Sequence, residues 1–168
     1  MDQTRYINGS DLLIDFGGKA TGHATSHTLS LNTETKDVAV KPAASVARSS
    51  AKLYKKKRVT GLSVQIKSDG LGVYAEDESG IPDFLNKWKS GSSVGVKAFA
   101  RSNDANPYIS GDFIISNMEI SSPAGEDTTY SITLDNDGEV TVDETKFEPS
   151  SGGGEDDDDD EGGEGGGA

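Results

Sequence analysis

The sequence predicts a mainly β protein: a β-sandwich or barrel of about seven strands, with one short flanking α-helix and a long loop after the second strand. Three observations carry this reading. Apolar and polar residues alternate over many short runs, as in strands with one dry and one wet face. A single segment switches to helical spacing. Turn formers such as Gly17-Gly18, Pro123-Ala124-Gly125 and Asn136-Asp137-Gly138 separate the runs.

Residues 1–10 are polar and are expected to form an N-terminal arm ordered only against a neighbour. Asp11 to Phe16 is an apolar run of strand length, and Gly17-Gly18 supplies a tight turn from which Lys19 onward pairs back. Alternation resumes from Ala24 to Leu31, with His27, Leu29 and Leu31 on one face. Between residues 32 and 58 the periodicity disappears. A connection of that length inside a compact domain is usually functional or disordered, so it is read as a binding loop. It ends in Lys52-Leu53-Tyr54-Lys55-Lys56-Lys57-Arg58, a strongly basic stretch.

Val59 to Ser68 returns to strand, with Leu62, Val64 and Ile66 directed inward. Within 81–89, Ile81, Phe84, Leu85 and Trp88 recur at helical spacing, so Phe84, Leu85 and Trp88 are expected in the core. Pro82 suits the first turn, Lys87 and Lys89 suit the negative C-terminal end, and Gly91 ends the helix. Ser92 to Ala100 is a further strand. The hairpin from Ile109 to Val142 organises the sheet: Tyr130, Ile132 and Leu134 share its dry face, and Asn136-Asp137-Gly138 turns the chain before a short last strand. Residues 11–148 are expected to form one domain. Residues 149–168, rich in glycine and carboxylates, have almost nothing apolar to bury and are expected to be disordered in the isolated chain.

The 168 residues carry a net charge of −13, and eight of the negative charges belong to Glu155, Asp156–Asp160, Glu161 and Glu164, leaving −5 for the remainder. A mildly acidic body argues against general affinity for nucleic acid, which needs a positive field. The absence of cysteine excludes disulfides and thiolate metal sites. No stretch approaches the ~20 apolar residues of a membrane-spanning helix, and no N-terminal secretion signal is evident.

Candidate chemistry is sparse. His23 and His27 lie four residues apart on a strand, about 13 Å, too far to share a metal. No nucleophile with a base, phosphate-binding glycine loop or paired carboxylates in an apolar setting stands out, so neither an enzyme nor a cofactor is expected. The acidic run lacks the spaced ligands and glycine turn of a calcium loop and reads as a solvated tail. The basic cluster offers one interleaved tyrosine, where single-strand binders normally present several aromatics, so an acidic protein surface fits it better than nucleic acid.

The order of these features resembles the major tail proteins, or tail tube proteins, of long-tailed bacteriophages. The resemblance runs from Asp11 to Val142 and is carried mainly by Gly22 to Thr35 and Gly111 to Gly138, within DLLIDFGGKATGHATSHTLSLNTET, VTGLSVQIKSDG and GDFIISNMEISSPAGEDTTYSITLDNDGEV. It implies a β-sandwich flanked by a helix that assembles with itself into hexameric rings stacked as a tube. Double-stranded DNA would pass through without specific contact, and tip and terminator proteins would be further partners. It implies a virion component assembled in the host cytoplasm. The loop at 32–58 would clamp one subunit or ring to the next, with Lys52, Tyr54, Lys55, Lys56, Lys57 and Arg58 as contact residues facing carboxylates such as Asp77, Glu78, Glu126 or Asp127. A non-catalytic binding or adhesion module, or a virion decoration protein, would explain the strands equally well but not the long loop.

Overall fold

The computed structural model describes residues 6–38 and 55–147. Among these, eight strands and one helix follow in the order β1 (Leu12–Phe16), β2 (Lys19–Thr21), β3 (Ala24–Val38), β4 (Lys56–Leu71), β5 (Glu78–Ser79), α1 (Ile81–Ser90), β6 (Val94–Ala100), β7 (Ile109–Ser121) and β8 (Thr129–Val142). They form a single mixed sheet of order β3-β4-β8-β7-β6-β1-β2-β5. All neighbours are antiparallel except β2 and the two-residue β5.

This order makes the sheet roll up. Strands β2 and β3 are separated only by Gly22 and His23, yet they lie toward opposite ends of the sheet, so the two ends must meet. At the seam Gly22 N–H donates to the Ser79 carbonyl at 2.8 Å and Leu71 N–H donates to the His23 carbonyl at 3.1 Å. No ladder closes the gap, so the result is a sandwich-like roll and not a closed barrel. His23 takes a positive φ of 41°, uncommon for a residue with a Cβ, and its conformation is held by Glu78. One carboxylate oxygen of Glu78 lies 2.9 Å from His23 Nδ1 and accepts the His23 N–H at 3.1 Å.

The inside of the roll is dry. Ile14 and Phe16 of β1, Val64 and Ile66 of β4, Val96 of β6, Phe113 of β7, and Tyr130, Ile132 and Leu134 of β8 are all buried there. Helix α1 contributes Phe84, which is fully buried, with its ring edge-on to Phe16 at 5.0 Å and tilted against Tyr130 at 5.1 Å. The helix starts where Gly80 N–H meets the Asp83 carboxylate at 3.0 Å, and it ends at Gly91, whose left-handed φ of 62° a Cβ would strain.

Several expectations require correction. The chain does not reverse at Asn136-Asp137-Gly138. Strand β8 continues through it, and the extra residues form a bulge opposite Asp112, with Asn136 Nδ2 donating to the Gly138 carbonyl at 2.7 Å. The expected loop at 32–58 is strand wherever it is described, apart from Lys55: residues 32–38 belong to β3, and Lys56, Lys57 and Arg58 open β4.

Candidate assembly surface

Strands β3 and β4 are longer than the body that they help to build. They pair with each other from Ala24↔Gly70 to Val38↔Lys56, whereas β4 pairs with β8 only from Leu71↔Thr129 to Gln65↔Asp135. Residues 56–63 of β4 and their partners on β3 therefore project as a two-stranded arm of about 27 Å. A bulge at Thr60 twists it partway along.

The arm explains why Leu62 is not in the core. Its place in the alternation puts it on the inward face with Val64 and Ile66, but it lies beyond the edge of the body and is 74% exposed. Leu31 and Val59 are likewise exposed on that face, at 62% and 56%, so the dry stripe of the core runs out along the arm without a cover among the described residues. A two-stranded ribbon is at best marginally stable by itself. Leu85 and Trp88 also depart from expectation: only Phe84, with Ile81 partly buried, faces the core, and Leu85 is 44% and Trp88 57% exposed. The helix is ten residues long and meets the body along a narrow stripe, which Phe84 and Ile81 fill.

The basic residues sit at the outer part of the arm. Lys55 precedes β4 and lies 3.5 Å from the Asp37 carboxylate; Lys56, Lys57 and Arg58 are exposed. Lys52 and Tyr54 lie outside the described residues. Lys36 stands directly opposite Arg58, a like-charge pair, and neither belongs to an ion pair among the described residues. Of the carboxylates expected to answer this charge, Glu78 is already engaged by His23 at the seam.

Two strand edges are also open. Among the described residues, the outer side of β3 has no strand partner from Thr28 to Val38. Strand β7 pairs with β6 only as far as Phe113↔Val94, so its residues 114–121 pair with β8 alone among the described strands. Between these edges, the face of β3-β4-β8-β7 turned away from the core carries Thr28, Ser30, Gln65, Lys67, Asp135 and Glu119, with serine, threonine and asparagine around them. Long backbone edges of this kind are templates for pairing, and neither sequence alternation nor composition marks where a strand loses its neighbour.

The described residues hold no cluster of His, Cys, Asp or Glu able to bind a metal. The shifted groups belong to the framework. Burial pushes the Tyr130 phenol up to about 12 and raises Tyr108; burial lowers His27, whose Nδ1 lies 3.0 Å from Ser68 Oγ. Burial also raises Asp15, opposed by Lys97, and the hydroxyl of Thr145 lowers Asp143. No described helix is long and apolar enough to cross a membrane.

Known structures share this mainly β fold. The chain is similar to a subunit in the virion of a native gene transfer agent particle, with a TM-score of 0.64 and 15% identity over 82% of this chain and 99% of that one. It is also similar to the SPP1 tail tube protein, with a TM-score of 0.59 and 14% identity over 82% of this chain and 80% of that one. A chain from the sheath/tube terminator of an extracellular contractile injection system matches at a TM-score of 0.52 and 12% identity over 83% of this chain and 99% of that one. No curated protein sequence matches significantly. The family model described as phage tail tube protein matches residues 7–142, which include every strand, the helix and the described part of the arm. The chain therefore belongs to the phage tail tube protein family, whose members are structural and non-catalytic components of the virion tail.

Proposed function

We propose that this protein assembles with itself into hexameric rings, and that the rings stack into a tube through which double-stranded DNA is delivered. The observation that supports the proposal is two strand edges without a partner among the described residues of one sheet, the outer side of β3 and residues 114–121 of β7. Joining one edge to the other edge of the next copy is a head-to-tail contact, which closes a ring if the rotation allows. The polar outer face of β3-β4-β8-β7 would then line the channel. Where all four strands are paired, Lys67 is the only cation on that face, alongside Asp69, Asp135 and Glu119, so DNA phosphates would find little to hold them there; Lys36, Lys56 and Arg58 share the face only on the projecting arm.

The arm supplies the second contact. Its stripe of Leu31, Val59 and Leu62 is uncovered among the described residues, and a neighbouring subunit or ring would cover it. Lys52, Tyr54, Lys55, Lys56, Lys57 and Arg58 would take part in that contact. Tip and terminator proteins would cap the stack, assembly would take place in the host cytoplasm, and residues 11–148 would act as the assembling domain. Lysine placed at Asn117 and Ser121 tests the edge pairing, because charge along an open edge blocks strand addition. The variant should stay folded by circular dichroism and fail to form rings under electron microscopy; rings of normal size would contradict the proposed joint.

A further inference from the structure

The basic end of the arm calls for an anion, and the chain carries one. Lys36 and Arg58 face each other across β3 and β4, with Lys56 on the same side of the ribbon by alternation and Lys57 adjacent. Among the described residues, the only ion pair on the arm joins Lys55 to Asp37. Opposed cations on a two-stranded ribbon destabilise it unless a negative group lies over them. At the other end of the sequence, Glu155, Asp156–Asp160 and Glu161 place seven carboxylates in a row.

The fold brings the two within reach. Strand β8 runs antiparallel to β4, so β8 leaves their shared ladder at the end where the arm begins. Val64 N–H donates to Asn136 Oδ1 at 2.9 Å, which fixes a common point of departure. Arg58 lies six residues beyond Val64 along the arm, and Val142 six residues beyond Asn136 along β8. Counted on their unbulged partner strands, from Leu31 to Lys36 and from Phe113 to Ile109, they advance about 17 Å and about 13 Å in the same sense. The described chain then ends beside that point, with Phe147 edge-on to Tyr108 at 4.8 Å. Eight further residues lead to Glu155 and can span up to about 27 Å.

We propose that the acidic run Glu155–Glu161 docks on the cationic end of the arm of its own chain and restrains self-assembly until another copy displaces it. A short tether gives the run a high effective concentration at the arm, so an individually weak contact is occupied before a second copy arrives. The arm is then masked in the free subunit and becomes available when a growing ring offers a larger surface. The restraint rests on the assembly reading above; the docking itself does not.

The test uses the full chain, whose lack of cysteine permits clean labelling. Dyes at Thr60→Cys and Gly162→Cys report the distance between arm and run by single-molecule energy transfer, at a dilution where subunits are separate. Transfer should be high at low salt, and should fall both at 0.5 M salt and when Asp156–Asp160 are all changed to Asn. Transfer that ignores both changes overturns the docking. In parallel, the Asn variant should begin to assemble at a concentration about tenfold lower than the parent at low salt, with the two converging at high salt. Equal onsets at low salt overturn the restraint. An earlier onset without a change in transfer assigns the run to a neighbouring copy and overturns docking in the same chain. If neither protein forms rings at any concentration, the assembly reading fails and the restraint fails with it, while the transfer result still decides the docking.

Discussion

The phenol of Tyr130 donates a 2.6 Å hydrogen bond to the carbonyl oxygen of Gly22, tying β8 to the connection between β2 and β3 where the two ends of the rolled sheet meet. The ring also lies against Gly70, where an added Cβ would come within 2.5–2.7 Å of it. Tyr130 thus fastens a seam that no strand ladder closes. Tyr130→Phe leaves the Gly22 carbonyl without this partner and should cost about 1–3 kcal/mol in urea denaturation. Gly70→Ala should be at least as damaging, because the aromatic ring must shift to admit the methyl group. A seam that tolerates both changes does not depend on this bond.

Leu62 and Ile66 share one face of β4 but differ in surroundings, one on the bare arm and the other fully buried. Ile66→Ala should lower stability by about 2–5 kcal/mol through the cavity that it leaves. Leu62→Ser should change stability by less than about 0.5 kcal/mol and should instead raise the concentration needed for assembly. Denaturation and sedimentation measured on both variants separate the two roles; a large loss of stability in Leu62→Ser would mean that the arm folds back on the body.

His27 gives the fold a dependence on pH. Burial lowers its pKa below the ordinary 6.5, so the unfolded chain takes up a proton before the folded one does. Its neutral form stabilises the fold fully above about pH 6.5, and that contribution declines as pH falls toward the folded value. Denaturation from pH 7.5 down to 5 should show this loss, and His27→Gln should remove that part of the slope. An unchanged slope in the variant assigns the dependence to other groups.

Trp88 is the single tryptophan and is more than half exposed on α1. Acrylamide should quench its fluorescence readily in the free subunit and less readily once rings form, if the exposed face of the helix meets a neighbour. Equal quenching before and after assembly would place α1 outside the contacts.

The charges on the arm should make assembly sensitive to salt. In a chain lacking residues 150–168, where the acidic run cannot compete, raising salt from 0.05 to 0.5 M should weaken assembly, because exposed charges are screened beyond a few ångströms. Assembly that is indifferent to salt would leave Lys55, Lys56, Lys57 and Arg58 without that role.

Local chemistry made much of the fold legible. The two-residue period placed Val64, Ile66, Tyr130, Ile132 and Leu134 on the correct faces, and Pro82 and Gly91 bracketed the helix. The same period gave Leu62 its face but not its depth, since burial depends on where the neighbouring strand β8 leaves the ladder, a long-range fact that alternation does not record. Asn136-Asp137-Gly138 has turn composition, yet a bulge uses the same left-handed glycine as a hairpin, and the choice was made by pairing with β7. In the arm, Asn32 to Val38 bury no side chain and so needed no apolar period, which made strand read as loop. The open edges were illegible for a related reason: they are defined by the absence of a partner.

The central claim is self-assembly into a hollow tube, and electron microscopy of the purified chain over a range of concentrations tests it most directly. The account predicts six-fold rings that stack into tubes with a central channel as concentration rises. A monodisperse monomer at every concentration, also in the chain lacking residues 150–168, would contradict it.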